Sequence, residues 1–325
     1  MTDSTPSRLG TLNATTNGSW AQDNALFLKV FAGEIITAFS ETNVMKELHM
    51  SRTITSGKSA SFPATWKTSA GYHTPGHLLT GNQSVAHNER IINIDDFLVS
   101  DIFIAKIDEL KNHYDIRGEY TKQMGAALSK EFDKKTMQTA ILAARASTTV
   151  TGGYGGSVLN NAAAHNDAAV LTALVYSAAQ TFDEKDVPDG DRHLIVKPAQ
   201  YYLLLTNKDL LNSDYSASTG DLVAGRIETA AGIGIVKSNN VPQTNIASAI
   251  AGENNTYNGN FTDTVGICFH RSAIGTVKMA DLAVSKTDDS GDYMTMYNGT
   301  LMTAKYLMGH GICRPESAIE ITKTA

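Results

Sequence analysis

Two histidines stand four residues apart in His73-Thr-Pro-Gly-His77, a spacing that on a helix would aim both imidazoles at one zinc ion. Pro75 and Gly76 forbid that helix, and no third ligand lies nearby in the sequence, so the pair reads as part of a polar loop. Cys268 and His270 are two residues apart in an apolar run of strand character, which turns both side chains to one face. A thiol beside an imidazole is the arrangement of a Cys-dependent hydrolase. A small buried cysteine is the commoner use of such a residue. The glycine groups Gly152–Gly156 and Gly232–Gly234 match neither G-x-G-x-x-G nor G-x-x-x-x-G-K-[ST], so no phosphate-cradling loop is read from them. Asp183-Glu-Lys-Asp186 offers paired carboxylates for acid–base work, but it runs into Pro188-Asp-Gly190 and reads as a solvated turn. No catalytic, cofactor-binding or metal-ligating set rises above its structural alternative. The expectation is a protein that is not an enzyme and needs no cofactor.

The elements that would have to position these residues are more informative. With 325 residues, 42 % of them hydrophobic and 18 % charged, the chain can bury substantial cores and is too long for one of ordinary size. Its 27 basic and 33 acidic residues leave a formal charge of −6. No basic domain or stripe appears, so gripping phosphates is not its main task. On the longest predicted helix, Lys122, Lys130, Lys134, Lys135 and Arg145 alternate with Glu119, Glu131 and Asp133, a mixed-sign face rather than a basic patch. Two isolated cysteines suit a reducing compartment. Met1 to Trp20 has no apolar secretory core, and no run approaches the roughly 18 apolar residues of a membrane span. The expected setting is the cytoplasm, with no membrane contact.

Along the chain, residues 1–23 form a polar arm, and Leu26, Val30, Ile35 and Phe39 place an amphipathic helix over 24–40. From Met50 the period changes to two, with Ile54 and Phe62 among Ser, Thr and Lys. A Gly- and Pro-bearing excursion over 65–87 follows, and the chain returns through an apolar run from Glu89 to Ile104. Residues 51–99 therefore read as a two-stranded arm with an elaborate tip. Ile116, Tyr120, Met124, Leu128 and Phe132 step by four and open a helix of roughly 30 residues, about 45 Å long, with Gly118 and Gly125 inside it. A second lobe follows: a helix capped by Asn166 or Asp167, a strand at His193–Lys197, a helix opened by Pro198, and a strand at Gly232–Lys237. Residues 245–262 read as a Gly/Asn-rich surface loop, and Val265–Phe269 and Ile274–Met279 as strands.

Several segments carry a resemblance. They are Ala25 through Phe39 (ALFLKVFAGEIITAF), Ile54 through Pro63 (ITSGKSASFP), and Asn112 through Tyr120 (NHYDIRGEY). Phe269 through Lys278 (FHRSAIGTVK), Ala304 through Gly311 (AKYLMGHG) and Arg314-Pro-Glu316 continue it near the end. In this order they resemble the major capsid proteins of podophages of the autographivirus type, which have the HK97-like fold. The resemblance implies an α+β chain with a long β-ribbon (E-loop), a P-domain built on a spine helix, and an α/β A-domain. On that plan residues 1–50 are the N-terminal arm and first helix, 51–99 the ribbon, and 100–147 the P-domain with its spine. Residues 148–264 are then mainly the A-domain, and 265–325 the return strands that complete both. It further implies hexamers and pentamers of the chain in an icosahedral virion capsid that encloses double-stranded DNA without sequence-specific binding. A scaffolding protein, a portal protein, and tail or decoration proteins are the implied partners.

Two alternatives stand beside this reading: an encapsulin-type compartment shell, which shares the fold, and a Cys268–His270 hydrolase. A lone two-stranded ribbon is marginal in water. Phe62, Trp66, Tyr72, Leu78 and Leu79 would be exposed on it, so they are the expected contacts with a neighbouring subunit. Gly118 and Gly125 are the expected hinge of the long helix, since each mid-helix glycine costs about 1 kcal/mol relative to alanine.

Overall fold

The computed structural model describes residues 43–79, 81, 84–107, 116–207, 220–221, 226–227, 229–287 and 296–324. The helix expected over 24–40 lies outside them. The chain divides into two compact units, one holding residues 97–132 and 280–307, the other 44–96, 133–279 and 308–325. The long helix, Ile116–Arg145, is 30 residues and contributes to both units, as do two long strands, Ile274–Lys286 and Gly299–Ile312.

In the first unit, Leu98–Ala105 pairs antiparallel with the start of the last long strand, from Ala105 opposite Gly299 to Leu98 opposite Tyr306. The period of two decides which side is covered. Ile104, Met302, Ala304 and Tyr306 are buried, whereas Val99 and Phe103 stay exposed. The helix presents its four-residue stride to the covered side: Met124, Leu128 and Phe132 are buried, and Phe132 meets Tyr306 edge-on at 6.4 Å.

The second unit is organised by a six-stranded sheet. Its order is Ser157–Asn160, Ala318–Thr322, Thr264–His270, Arg192–Val196, Ile233–Lys237 and Thr229–Ala230. The first pair and the pair Arg192–Val196 with Ile233–Lys237 are parallel, and the two central pairings are antiparallel. The middle strands carry apolar side chains on both faces, as strands covered on both sides must. Helices Ala168–Glu184 and Pro198–Leu205 supply Leu171, Val175, Phe182 and Leu204 to the core over this sheet. Asp167 is the cap of the first, its carboxylate accepting from the Ala169 amide at 2.9 Å. Pro198 opens the second, where a missing N–H costs nothing.

Three sequence readings change. The apolar run from Glu89 to Ile104 is two strands, His87–Asn93 and Leu98–Ala105, because Asp95 and Asp96 break it and are held by the Met308 and Gly252 carbonyls. Only the first of these strands belongs to the ribbon. The segment 245–262 is more than a surface loop, for Tyr257 and Phe261 within it are fully buried. The acidic turn at 183–191 is anchored rather than merely solvated: buried Arg192 binds Asp183 at 2.8 Å and the Pro188 carbonyl at 2.9 Å, and lies over the Phe182 ring.

Candidate assembly surface

The ribbon is Ser59–Thr65 paired antiparallel with His87–Asn93, from Ser59 opposite Asn93 to Thr65 opposite His87. Its root is packed. Ala60, Ile92 and Ile94 are buried, so the first turns of the ribbon are part of their own subunit's core. Polar bonds continue the attachment: Asn88 donates to the Thr149 carbonyl at 2.6 Å, and Arg90 to the Thr149 hydroxyl at 3.0 Å. At the far end of the root, Asp95 accepts from the backbone amides of Asn254 and Asn255 and from the Tyr257 hydroxyl. Burial pushes the Asp95 carboxyl above its usual range, against the lowering effect of these donors.

Of the five residues expected to meet a neighbour, the structure places two against their own chain. Phe62 is half-buried beneath the Arg52 guanidinium, which lies 5.9 Å from the ring centroid. Trp66 is half-buried against the turn at Gly152–Gly153 and meets Tyr154 edge-on at 5.6 Å. A methyl at Gly153 would fall 2.6 Å from the Thr148 hydroxyl and 3.3 Å from the Trp66 ring, so the turn is tight there. Beyond Trp66 the picture reverses. Tyr72, Leu78 and Leu79 are 110 %, 86 % and 76 % exposed, so the described residues give these three large apolar groups little cover. Beside the ribbon runs a groove of about 300 Å³, lined by Met50, Phe62, Trp66, Thr149, Cys313 and Arg314.

The residues singled out for chemistry are not assembled into a reactive site. His73 and His77 are both exposed in the ribbon tip. Cys268 is wholly buried, and burial pushes its thiol up to about 12, so essentially no thiolate exists at neutral pH. His270 is occupied locally: its Nδ1 lies 2.8 Å from the Ser272 hydroxyl and 3.2 Å from the Ser272 amide, closing the turn at Arg271–Ala273. Among the described residues, no three His, Cys, Asp or Glu are placed to hold a metal ion, and no helix is long and apolar enough to cross a membrane. Gly118 and Gly125 both lie in the first half of the long helix, Gly125 buried and Gly118 half-buried. The Asp95 clasp was not legible in the sequence, since nothing in a Gly/Asn-rich run marks which amides will face a carboxylate.

A rooted ribbon with a bare apolar tip, a long helix shared by two units and a sheet-centred α/β lobe define a subunit of the HK97-like capsid class. Solved shells agree. The capsid structure of the cyanophage P-SCSP1u superposes with a TM-score of 0.79 and 42 % sequence identity, over 99 % of each chain. The mature capsid of bacteriophage PhiM1 superposes with a TM-score of 0.71 at 19 % identity, over 86 % of each. The major capsid protein of Escherichia phage T7 is 33 % identical over 319 residues, 90 % of both chains. Residues 61–322 match the Gp10A-like major capsid protein family, and the chain belongs to that family. It is a phage major capsid protein, a virion component whose copies assemble into the shell. The family is one of phage major capsid proteins, not of cargo compartments.

Proposed function

We propose that copies of this chain join as hexamers and pentamers of an icosahedral lattice around packaged double-stranded DNA, and that the ribbon tip is the clasp between them. Assembly takes place in the host cytoplasm on a scaffolding protein, with a portal protein at one vertex and tail or decoration proteins added to the shell. The observation that supports the clasp is the exposure of Tyr72, Leu78 and Leu79 on a chain whose relatives build shells. A formal charge of −6 suits a container for DNA, since a basic wall would bind phosphates by releasing counterions at every contact. The direct test replaces Tyr72, Leu78 and Leu79 together by serine. The variant should fold with unchanged circular dichroism and show fewer closed particles by negative-stain electron microscopy; undiminished particle yield would remove the tip from the clasp.

The same reading makes Gly118 and Gly125 the hinge by which the long helix changes curvature as the shell expands. Gly125→Ala should favour the straighter helix by up to about 1 kcal/mol per subunit, a bias repeated in every copy. Precursor shells of the variant should expand under milder conditions than wild-type shells, as scored by particle diameter. Identical expansion would show that the bend resides elsewhere.

A further inference from the structure

Residues 43–50 lead the chain into the ribbon, and Asn93–Asp96 lead it out. A chain of hydrogen bonds through two buried histidines joins the two ends. The Met45 carbonyl oxygen lies 2.6 Å from His49 Nδ1. A carbonyl only accepts, so Nδ1 carries the hydrogen, and Nε2 of the neutral ring is a lone pair. That Nε2 is 2.6 Å from the Thr276 hydroxyl, which therefore donates to it. Having spent its one hydrogen, Thr276 Oγ1 accepts from His310 Nδ1 at 2.8 Å. The His310 backbone amide donates to the Tyr257 hydroxyl at 2.9 Å, and Tyr257 donates in turn to Asp95 at the ribbon's exit. His49, Thr276 and His310 are 2 %, 0 % and 3 % exposed, so water cannot substitute for a lost partner.

We propose that His49, Thr276 and His310 form a proton-operated latch, which pins both ends of the ribbon to the lobe while the two imidazoles are neutral and releases them when a proton enters. The direction of the relay supplies the mechanism. A proton on His49 turns Nε2 into a second donor aimed at Thr276 Oγ1, while the hydroxyl hydrogen loses its acceptor. A proton on His310 adds a second cation to the same buried pocket. The charged groups around the relay reinforce this. Lys278 and Arg271 bear on His49, and Lys135 and Lys278 on His310. Lys135 is itself paired with Glu253 and stacked over the Tyr257 ring, and the Asp95 carboxylate is taken by Tyr257, Asn254 and Asn255. Asp133 pins the same lead-in from another side, accepting from the Val44 and Met45 amides at 3.0 and 3.1 Å.

Burial holds His49 at about 4 and His310 at about 3, both below the ordinary histidine value of 6.5. A group depressed on folding contributes fully above its unfolded value, and that contribution is lost as pH falls toward the folded one. The latch is therefore closed at neutral pH and yields progressively from pH 6.5 downward. The inference concerns the chain by itself and holds whether or not the tip clasps a neighbour.

Hydrogen-exchange mass spectrometry on the purified full chain, stepped from neutral to acid with correction for intrinsic exchange, tests it. Peptides covering 44–50 and 87–96 should lose protection together, before the central strand Thr264–His270 does. Thr276→Val frees the His49 lone pair and should move that opening upward by about one pH unit. His310→Asn keeps an N–H for Thr276 but cannot take up a proton, and should move it downward. Either shift supports the latch. Protection of 44–50 that persists until the whole lobe unfolds would overturn it. So would opening of both variants at the wild-type pH, which would assign the trigger to Asp133. Should Thr276→Val fail to fold, the wild-type trace and His310→Asn still decide.

Discussion

Replacing residues 68–84 by a short Gly-Ser turn should leave a folded, soluble chain that makes no closed shells. The contacts described above that root the ribbon lie outside the deletion: Ala60 and Ile92 in the core, Asn88 and Arg90 on Thr149, Trp66 on Tyr154. The chain's own stability should therefore change by no more than about 0.5 kcal/mol, the range of surface changes that break no packing. Assembly is another matter. Burying a Leu side chain against a partner is worth about 1.5–3 kcal/mol, and three large groups lie within the deleted tip. Losing even part of that from every contact weakens each by a factor of about ten per 1.4 kcal/mol. Light scattering and electron microscopy should find subunits or small rings only. Normal particles would show the tip to be ornamental. A smaller deficit from the triple serine variant would separate the side chains' share from that of the backbone.

Arg145→Met should strongly destabilise the lobe. Glu320 sits in the internal strand Ala318–Thr322 and is fully buried. Arg145 reaches it in a forked pair, Nε to one carboxylate oxygen at 2.6 Å and Nη2 to the other at 2.7 Å. The Thr264 hydroxyl donates to the same carboxylate at 2.6 Å, and the guanidinium also meets the Asn260 carbonyl at 2.6 Å and covers Phe261. Methionine fills much of the volume but leaves a buried carboxylate with one neutral donor. Stranding the buried Glu320 carboxylate in this way costs about 3 kcal/mol, the low end for a broken buried pair because Arg145 itself is partly exposed, and still a large part of a domain's usual 5–15 kcal/mol. The urea midpoint should drop accordingly, and Glu320→Gln in the same background should restore most of it. A loss below about 1 kcal/mol would mean that water reaches Glu320 once Arg145 is gone.

What the sequence disclosed follows from how local each signal is. The stride from Ile116 to Phe132 is written in one helix, and Ile116–Arg145 is where it forms. Pro198 marks a helix start by its own chemistry, and the helix begins there. Contacts between distant segments left no such mark. Arg145 and Glu320 are 175 residues apart, and neither looks unlike an ordinary surface charge. Tyr257 and Phe261 are buried by what lies across from them, and a Gly/Asn-rich run hides that. The segment Met308-Gly-His-Gly311 stood out as part of the resemblance, without a reason in the sequence itself. The structure supplies one. A methyl at Gly309 would fall 1.8 Å from the Asn93 carbonyl oxygen, and one at Gly311 would fall 2.6 Å from Ile92, so the glycines form the slot in which the ribbon's return strand lies. The five ribbon residues divide for a similar reason. Phe62 and Trp66 find cover in segments the sequence could not place beside them, whereas Tyr72, Leu78 and Leu79 stay exposed among the described residues.

A ribosome making this chain reaches Ala318–Thr322 after every other strand of the six-stranded sheet. That strand is nevertheless internal, lying between Ser157–Asn160 and Thr264–His270. Until it is made, Thr264–His270 has an open edge, Ser157–Asn160 has nothing to pair with, and Arg145 has no carboxylate. The sheet therefore cannot close before residues 318–322 have been made, whatever the local helices do. For a protein whose neighbours on a polysome are identical to itself, this is a built-in delay. Nascent chains crowded along one messenger lack a finished lobe on which to build until that strand has been made. The cost is a brief interval in which an unpaired strand edge is open to aggregation, which is where chaperone dependence would be expected to fall.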